Sequence, residues 1–236
     1  MSTFQLIKLF VTSGKGAGED FASELARRAI KQLPGPISGM NILDLGAGPC
    51  IYSESLRQAG AVVVSSEIDI DELLRSPFDP ERPLVADGRE LPFRDRVFDG
   101  VVCSNVLEHT PDPFAIIDEI GRVLKFGGWS YISWTNWLSP WGGHAVAPLH
   151  YLGVQRSVKI WKRLFGNPRG KNLPLAGVWP TYIGRTIRYV RSHPRLELVD
   201  AYPRYWSKLK ILMKIPGLRE VLSWNCVLIV RVRTQG

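Results

Sequence analysis

Predicted strands alternate with predicted helices through the first 135 residues, and this alternation restricts the fold more than any other feature. Apolar runs rich in β-branched residues predict five strands at Ile42–Leu45, Ala61–Ser66, Pro83–Ala86, Val97–Cys103 and Trp129–Trp134. The segments between them include ones with helical spacing of apolar residues. Parallel strands require crossovers of this kind, so the sequence predicts an α/β fold with a doubly wound sheet.

A glycine turn follows the first predicted strand, in Asn41-Ile-Leu-Asp-Leu-Gly-Ala-Gly-Pro-Cys50. Gly46 and Gly48 have no Cβ, so the chain can turn sharply and come close to a ligand. Glu67 ends the second strand, where its carboxylate can accept hydrogen bonds from ribose hydroxyls, and Asp87 follows the third, where it can accept from an adenine amino group. The order predicts a pocket for an adenosine nucleoside with a charged tail.

A nicotinamide or flavin site is the main alternative, and it uses the pattern G-x-G-x-x-G. The third glycine of that pattern would fall at position 51, which is Ile51. The dinucleotide pattern also favours an apolar residue two positions before the first glycine, where this chain has Asp44. An acid there can either reach the ammonium group of a methionine tail through water or hold the loop. The sequence therefore favours S-adenosylmethionine over a dinucleotide.

Four segments resemble motifs of the class I S-adenosylmethionine-dependent methyltransferases, in their small-molecule branch. They are Asn41–Ser53, Ala86–Phe93, Phe98–His109 and Arg122–Gly128. The resemblance covers about residues 38–135. Two later segments, Trp137–Gly143 and His150–Gly153, resemble uncharacterised actinobacterial members. Cys50 is a departure, because the family often has a third glycine at that position.

The resemblance implies a Rossmann-like sheet of seven strands with an antiparallel last strand, and S-adenosylmethionine as the cofactor. It implies that the donor site is formed by Asp44, Gly46, Ala47, Gly48, Glu67, Ile68, Asp87, Gly88 and Asn105. We expect a single domain over residues 1–236. Within it, residues 1–135 form the donor-binding core and residues 136–180 an insertion after strand 5 that acts as an acceptor lid. Residues 181–236 supply a helix, strands and a basic amphipathic segment.

Methyl transfer to an oxygen or nitrogen often needs a general base as well as alignment of the reactants. The candidate bases are His109 at the mouth of the donor site and His144 and His150 in the insertion. For His109 a structural hydrogen bond is the alternative role. No three ligands share metal-site spacing, so the sequence predicts no metal. The cysteines are predicted to be buried free thiols.

Basic and aromatic residues concentrate in the last part of the chain. Residues 1–150 carry 13 Lys+Arg and 19 Asp+Glu, whereas residues 151–236 carry 17 and 3, and all eight tryptophans lie at Trp129 or later. Read as a helix broken at Pro216, Tyr205–Leu222 has an apolar side flanked by lysines. It is predicted to be either an interfacial helix or a lid over the acceptor pocket. The predicted partners are a small-molecule or lipid-like, anionic acceptor and an anionic membrane surface.

Three functions remain open from the sequence. The first is methyl transfer to an oxygen, or to nitrogen or carbon, of a small molecule, lipid or lipid-linked saccharide. The second is an RNA methyltransferase, which is disfavoured because no nucleic-acid-binding module is recognisable. The third is a non-catalytic donor-binding scaffold. Apolar runs are too short to span a bilayer and Met1–Phe10 lacks a signal sequence, so we expect a cytoplasmic protein, with peripheral association at the inner face of the membrane as the open alternative.

Overall fold

The computed structural model of the chain describes residues 17–80, 82–166 and 174–234. The expectation for Met1–Phe10 and the part of the insertion at residues 167–173 lie outside the described residues.

One seven-stranded sheet forms the centre of the fold. Its strands are β1 (Asn41–Leu45), β2 (Val62–Glu67), β3 (Pro83–Val85), β4 (Phe98–Ser104), β5 (Leu124–Thr135), β6 (Leu196–Pro203) and β7 (Asn225–Val232). They lie in the order β3-β2-β1-β4-β5-β7-β6, and β7 is antiparallel to both of its neighbours. β1 and β4 are central and almost wholly buried, which explains their continuous apolar sequences. The predicted sheet with an antiparallel last strand is confirmed.

Helices cover both faces of this sheet. The α-helices among the described residues are α1 (Ala17–Ile30), α2 (Ile51–Gln58), α3 (Ile70–Leu74), α4 (Pro113–Val123), α5 (Val154–Phe165), α6 (Ile183–Ser192) and α7 (Leu218–Leu222). Ile117 of α4 and Ile187 of α6 belong to the larger apolar core on one face. Ala29 of α1 and Leu56 of α2 belong to the smaller core on the other face. The sheet is therefore doubly wound, as expected.

Local sequence determines the bounds of some elements closely. The helix α4 starts at Pro113, because the Asp112 side chain accepts hydrogen bonds from the N–H groups of Phe114 and Ala115 and because Pro113 suits the first turn. β5 starts at Leu124 rather than at Trp129, since Gly127 and Gly128 are contained within the strand. The three cysteines are buried and free, as predicted.

Tyr205–Leu222 is broken at Pro216 as predicted, but the part before the break is not an α-helix. The described segment contains a 3₁₀ turn at Lys210–Lys214 and the five-residue helix α7. Pro216 and Gly217 separate them, and Gly217 has φ of 84°, which interrupts any continuous helix. Within the ranges that the structure describes, no helix is both long and apolar enough to cross a membrane.

The insertion meets the sheet at the carboxyl ends of its central strands. Its described part holds 3₁₀ turns at His144–Val146 and Leu149–Leu152 as well as α5. The Trp179 N–H donates to the carbonyl oxygen of Glu108, at 2.8 Å, just beyond the end of β4. The end of the insertion therefore lies over the edge of the sheet where the donor site was predicted.

Candidate active site

A crevice of about 660 Å³ opens at the carboxyl ends of β1, β2 and β4. The strand order reverses its direction between β1 and β4, and ligands of open α/β sheets bind at such a switch point. Of the nine predicted donor residues, eight line this crevice: Gly46, Ala47, Gly48, Glu67, Ile68, Asp87, Gly88 and Asn105. The fold thus brings together residues that are up to about sixty positions apart in the sequence.

The glycine turn after β1 requires glycine for two separate reasons. Gly46 has φ of 73°, and a Cβ there would clash with the side chain of Val106. Gly48 has φ of 48°, a left-handed conformation that strains a residue with a side chain. A Cβ there would meet no protein atom within 4 Å, so this side of the turn faces open space. The N–H groups of Gly46 and Ala47 both donate to the carbonyl oxygen of Ser66, which holds the turn against the end of β2. The result is an open cradle that fits the tail of S-adenosylmethionine.

Glu67 links this turn to the next strand. One carboxylate oxygen accepts from the N–H of Gly48 at 2.9 Å, and the other accepts from the N–H of Ile68 at 2.9 Å. The oxygen bonded to Ile68 also accepts from the N–H of Asp69 at 3.4 Å, so the oxygen bonded to Gly48 is the one with a further lone pair for a ribose hydroxyl. The carboxylate is therefore held in place before any ligand arrives.

Asp87 forms a two-pronged ion pair with Arg89, with the shortest N–O distance 2.6 Å. The hydrogen bonds from Arg89 hold the pKa of Asp87 below its usual value, so the side chain is a carboxylate at neutral pH. Asn105 adopts a left-handed conformation at φ of 58°, and its side-chain oxygen accepts from Arg204 and Asn225. Both acceptors are thus fixed at the rim of the crevice.

Asp44 does not line the crevice. It is 2% exposed and accepts a hydrogen bond from the Ser53 hydroxyl at 2.6 Å, and that hydroxyl also bonds to Ser65 at 2.7 Å. Burial raises the pKa of Asp44 to about 7. Of the two roles that the sequence left open, the geometry matches the second, in which Asp44 holds the loop by fixing the start of α2.

Cys50 ends the glycine turn in a left-handed conformation, with φ of 56° and ψ of 23°. Glycine adopts this conformation without the steric cost that a Cβ imposes. The Cys50 side chain is fully buried beside Ala47 and Leu73. The departure from the resembled motif therefore leaves the shape of the turn intact.

His109 and His144 lie close together, although they come from separate parts of the chain. Their ring centroids are 5.2 Å apart, and His109 lines the crevice whereas His144 is not among the lining residues. Nδ1 of His109 is 2.6 Å from the carbonyl oxygen of Gly177, and Nδ1 of His144 is 3.2 Å from that of Gly142. Burial lowers the pKa of His144, and the nearby carboxylate of Glu108 opposes that effect.

Glu108 completes this group. Potential ligand atoms of Glu108, His109 and His144 all lie within 4.8 Å of one another. The sequence gives no sign of this grouping, because its members have no metal-site spacing. The fold creates it where the insertion returns over the end of β4.

His150 lies elsewhere. It is 1% exposed, its Nε2 is 3.1 Å from the carbonyl oxygen of Ser139, and it is absent from the crevice lining. Its ring packs so tightly against Gly143 that a Cβ on Gly143 would clash with it. This arrangement makes His150 a support for the loop that carries His144 rather than a group in contact with substrate.

Arg204 is a crevice residue that the sequence reasoning missed. It is 6% exposed, and its guanidinium donates to Asn105, to the Ser104 hydroxyl and to the Tyr52 hydroxyl. Within the described ranges, no carboxylate forms an ion pair with it. The available signal was its position immediately after β6, which ends at the same edge of the sheet as β1 and β4.

Comparisons with known proteins identify the family. A family model described as a methyltransferase domain matches residues 43–132. An uncharacterized methyltransferase of Mycobacteroides abscessus is 35% identical over 205 residues, which cover 84% of this chain and 78% of the relative. One of Mycobacterium tuberculosis is 34% identical over 200 residues, covering 83% and 78%.

Solved structures share the fold at low sequence identity. An S-adenosylmethionine-dependent methyltransferase from Mesorhizobium loti has a TM-score of 0.59 and 18% identity, with 89% of this chain and 97% of that chain covered. A putative methyltransferase of Haloferax volcanii, in complex with its Trm112 activator, has a TM-score of 0.61 and 16% identity, with 92% of each chain covered. With the sequence relatives and the geometry of the crevice, these findings establish that the chain belongs to the class I S-adenosylmethionine-dependent methyltransferases.

Proposed function

We propose that this methyltransferase transfers its methyl group to an oxygen of a small, anionic, lipid-like acceptor. The observation that carries the proposal is Arg204, whose buried guanidinium lies in the donor crevice without a carboxylate partner among the described residues. A buried cation is costly unless an opposite charge compensates it. An anionic group on a ligand would supply that charge, and a guanidinium suits carboxylate or phosphate groups.

S-adenosylmethionine supplies a methyl group already activated on a sulfonium, so the residues of the protein mainly position, hold and shield the reactants. Glu67 and the Gly46–Gly48 turn hold the donor end of the crevice. Arg204 would orient the acceptor through its anionic group. The acceptor hydroxyl loses its proton to water as the new carbon–oxygen bond forms. The group of Glu108, His109 and His144, of which His109 lines the crevice, is proposed to favour that loss.

Apolar residues also line the crevice, and we assign them to the acceptor, which favours a lipid-like molecule. They are Phe21, Ala22 and Leu25 of α1 and Trp179 of the insertion. Burying apolar surface of an acceptor here contributes about 25 cal/mol per Å². A purely polar acceptor would gain nothing from these walls.

Aromatic side chains lead from this wall to the surface of the protein. The ring centroids of Phe21 and Tyr205 are 6.4 Å apart, and those of Tyr205 and Trp206 are 6.0 Å apart. The series continues from Trp206 to Trp224 at 5.1 Å and from Trp224 to Trp141 at 6.4 Å. Such a series offers an apolar chain a continuous surface between the crevice and the exterior.

The C-terminal segment beside this series is exposed and apolar. Its exposed large apolar side chains are Leu209, Ile211, Ile215, Leu218, Val221 and Leu222. Lys208 and Lys214 are exposed within the same segment, whereas Lys210 forms an ion pair with Asp200. Apolar residues interspersed with cations and tryptophan favour the interface of an anionic membrane, so this surface is proposed to bind one.

Arg204→Gln tests the acceptor. Purified enzyme with radiolabelled S-adenosylmethionine is incubated with lipid, saccharide and RNA fractions of the source cell, and label is expected in the lipid fraction. With that acceptor, Arg204→Gln should raise KM at least about tenfold, because a charge-assisted contact is lost. Donor affinity, measured by calorimetry, should change far less, because Asn225 still donates to the side-chain oxygen of Asn105. Label in RNA, or an equal loss of donor affinity, would refute the assignment.

Vesicle sedimentation tests the membrane surface. The double variant Lys208→Ser with Lys214→Ser should pellet less with phosphatidylserine-containing vesicles than the wild type, because each cation near such a surface contributes about 1 kcal/mol. A double variant at the exposed residues Lys31 and Arg94 removes the same charge elsewhere and should pellet like the wild type. Equal loss in both variants would indicate a general charge effect and refute a specific surface.

A further inference from the structure

Glu108, His109 and His144 each offer one potential ligand atom, and the three atoms lie within 4.8 Å of one another. Ligands placed about 2.1 Å from a tetrahedral metal ion are about 3.4 Å from one another. The side chains would therefore rotate to close on an ion. The backbone already brings the three residues near enough for this.

Backbone carbonyls hold both imidazole rings by the same atom. Nδ1 of His109 faces the Gly177 carbonyl and Nδ1 of His144 faces the Gly142 carbonyl, so each Nδ1 carries the proton it donates. Nε2 of each ring then keeps its lone pair. Histidines that ligate metals show this arrangement, in which the other ring nitrogen donates to a carbonyl or carboxylate.

The third member has an unsatisfied atom. Glu108 is 1% exposed, and its Oε1 accepts from the Thr135 N–H at 2.8 Å. Its Oε2 is buried and lacks a hydrogen-bond partner among the described residues. Backbone groups satisfy Oε1 of Glu108 and Nδ1 of both histidines. Oε2 of Glu108 is left as a buried carboxylate oxygen whose charge nothing in the described ranges compensates. A cation at the centre of the group would compensate it.

The loop that carries His144 is held under constraint. His144 has φ of 45°, which is unusual for a residue with a side chain. His150 fills the space behind Gly143 and hydrogen-bonds to Ser139, which fixes the loop in this shape. Strained residues persist where the surrounding structure determines them, and they cluster at functional sites.

We propose that Glu108, His109 and His144 bind a divalent transition-metal ion of the Zn²⁺ class. Two imidazoles and one carboxylate form a ligand set of catalytic zinc sites and leave a position open. Mg²⁺ and Ca²⁺ prefer oxygen ligands and do not fit two histidines. The metal site itself is independent of the acceptor, but a role for the ion in methyl transfer rests on the proposed function. His109 lines the crevice, so the ion would lower the pKa of an acceptor hydroxyl, whose proton would pass to water.

Cobalt titration tests the site without reference to methyl transfer. Metal-stripped protein titrated with Co²⁺ should develop visible d–d absorption that saturates near one equivalent, and Zn²⁺ should displace it. His144→Ala and Glu108→Gln should each weaken binding at least about tenfold. His193→Ala is the matched control, because His193 is a partly buried histidine at the end of α6, and it should bind Co²⁺ like the wild type.

The possible results separate this inference from the proposed function. Absence of saturable Co²⁺ absorption in folded wild-type protein, or equal weakening in His193→Ala, would overturn the metal site. Circular dichroism of every variant shows whether a loss of binding is a loss of fold, and His109→Gln provides a second ligand change if Glu108→Gln fails to fold. Saturable binding by an enzyme that labels no lipid acceptor would support the metal site and refute the proposed function alone.

Discussion

Replacing Asp44 with asparagine should remove a pH-dependent loss of stability. The carboxyl group is buried, and its pKa rises from 3.8 to about 7 because burial disfavours the charge. The folded state therefore binds a proton that the unfolded state releases once the pH exceeds 3.8. The stabilisation that the neutral acid gives is complete below that pH and is lost as the pH rises through about 7.

The size of the effect follows from these two pKa values. Each tenfold difference between the acid dissociation constants of the folded and unfolded states corresponds to about 1.4 kcal/mol, so the full cost at high pH is about 4 kcal/mol. As the pH rises from about 5.5 to about 8, ionisation of Asp44 should reduce the free energy of unfolding by about 2 kcal/mol. Asparagine keeps the shape of the side chain and an acceptor for the Ser53 hydroxyl but has no charge to bury.

Urea denaturation at both pH values measures this slope. We expect the wild type to lose about 2 kcal/mol more than Asp44→Asn over the interval. Asp79→Asn removes an exposed carboxylate and is expected to keep the wild-type slope. Parallel pH profiles of the wild type and Asp44→Asn would refute the argument that Asp44 is a buried, loop-holding acid.

Three further changes probe the donor end and the insertion. Glu67→Ala should weaken S-adenosylmethionine binding more than about tenfold in calorimetry, since it removes a charged hydrogen-bond acceptor that also fixes Gly48. Unchanged affinity would exclude Glu67 from the donor site. Cys50→Gly should keep the free energy of unfolding within about 1 kcal/mol of the wild type. Cys50→Val should lower it by about 2 kcal/mol, because a β-branched residue resists the left-handed conformation. Equal losses of the two variants in urea denaturation would contradict this. His150→Ala should leave donor affinity unchanged but speed hydrogen exchange of the His144 N–H, and unaltered exchange would show that His150 does not support that loop.

The donor half of the site could be predicted because its signals are local. Gly46, Glu67 and Asp87 each lie at or just after the end of a strand, and strands that are parallel bring their carboxyl ends to one edge. Asp44 has the same local signal but points into the interior, where Ser53 binds it and Ser65 binds Ser53. Strand residues alternate between the two faces, and sequence proximity alone does not distinguish a ligand contact from a support beneath it.

The acceptor half could not be predicted because tertiary contacts create it. Glu108 and His144 meet only after the insertion returns to β4, and nothing in either local sequence specifies that approach. Arg204 resembles many other cations of the basic C-terminal part until β6 places it in the crevice. Tyr205–Leu222 shows the opposite error, since its apolar spacing suggests a helix before Pro216, where the structure has only a 3₁₀ turn at Lys210–Lys214.

The position of β7 makes two earlier strands depend on it for assembly. β7 follows β6 in the sequence, yet it lies between β5 and β6 rather than at an edge. Until the ribosome has released Asn225–Val232, β5 has an uncovered edge and β6 has no strand to pair with. Arg204 follows β6, so a nascent protein could form its nucleoside cradle during synthesis but would hold Arg204 in the crevice only after β7 has joined the sheet.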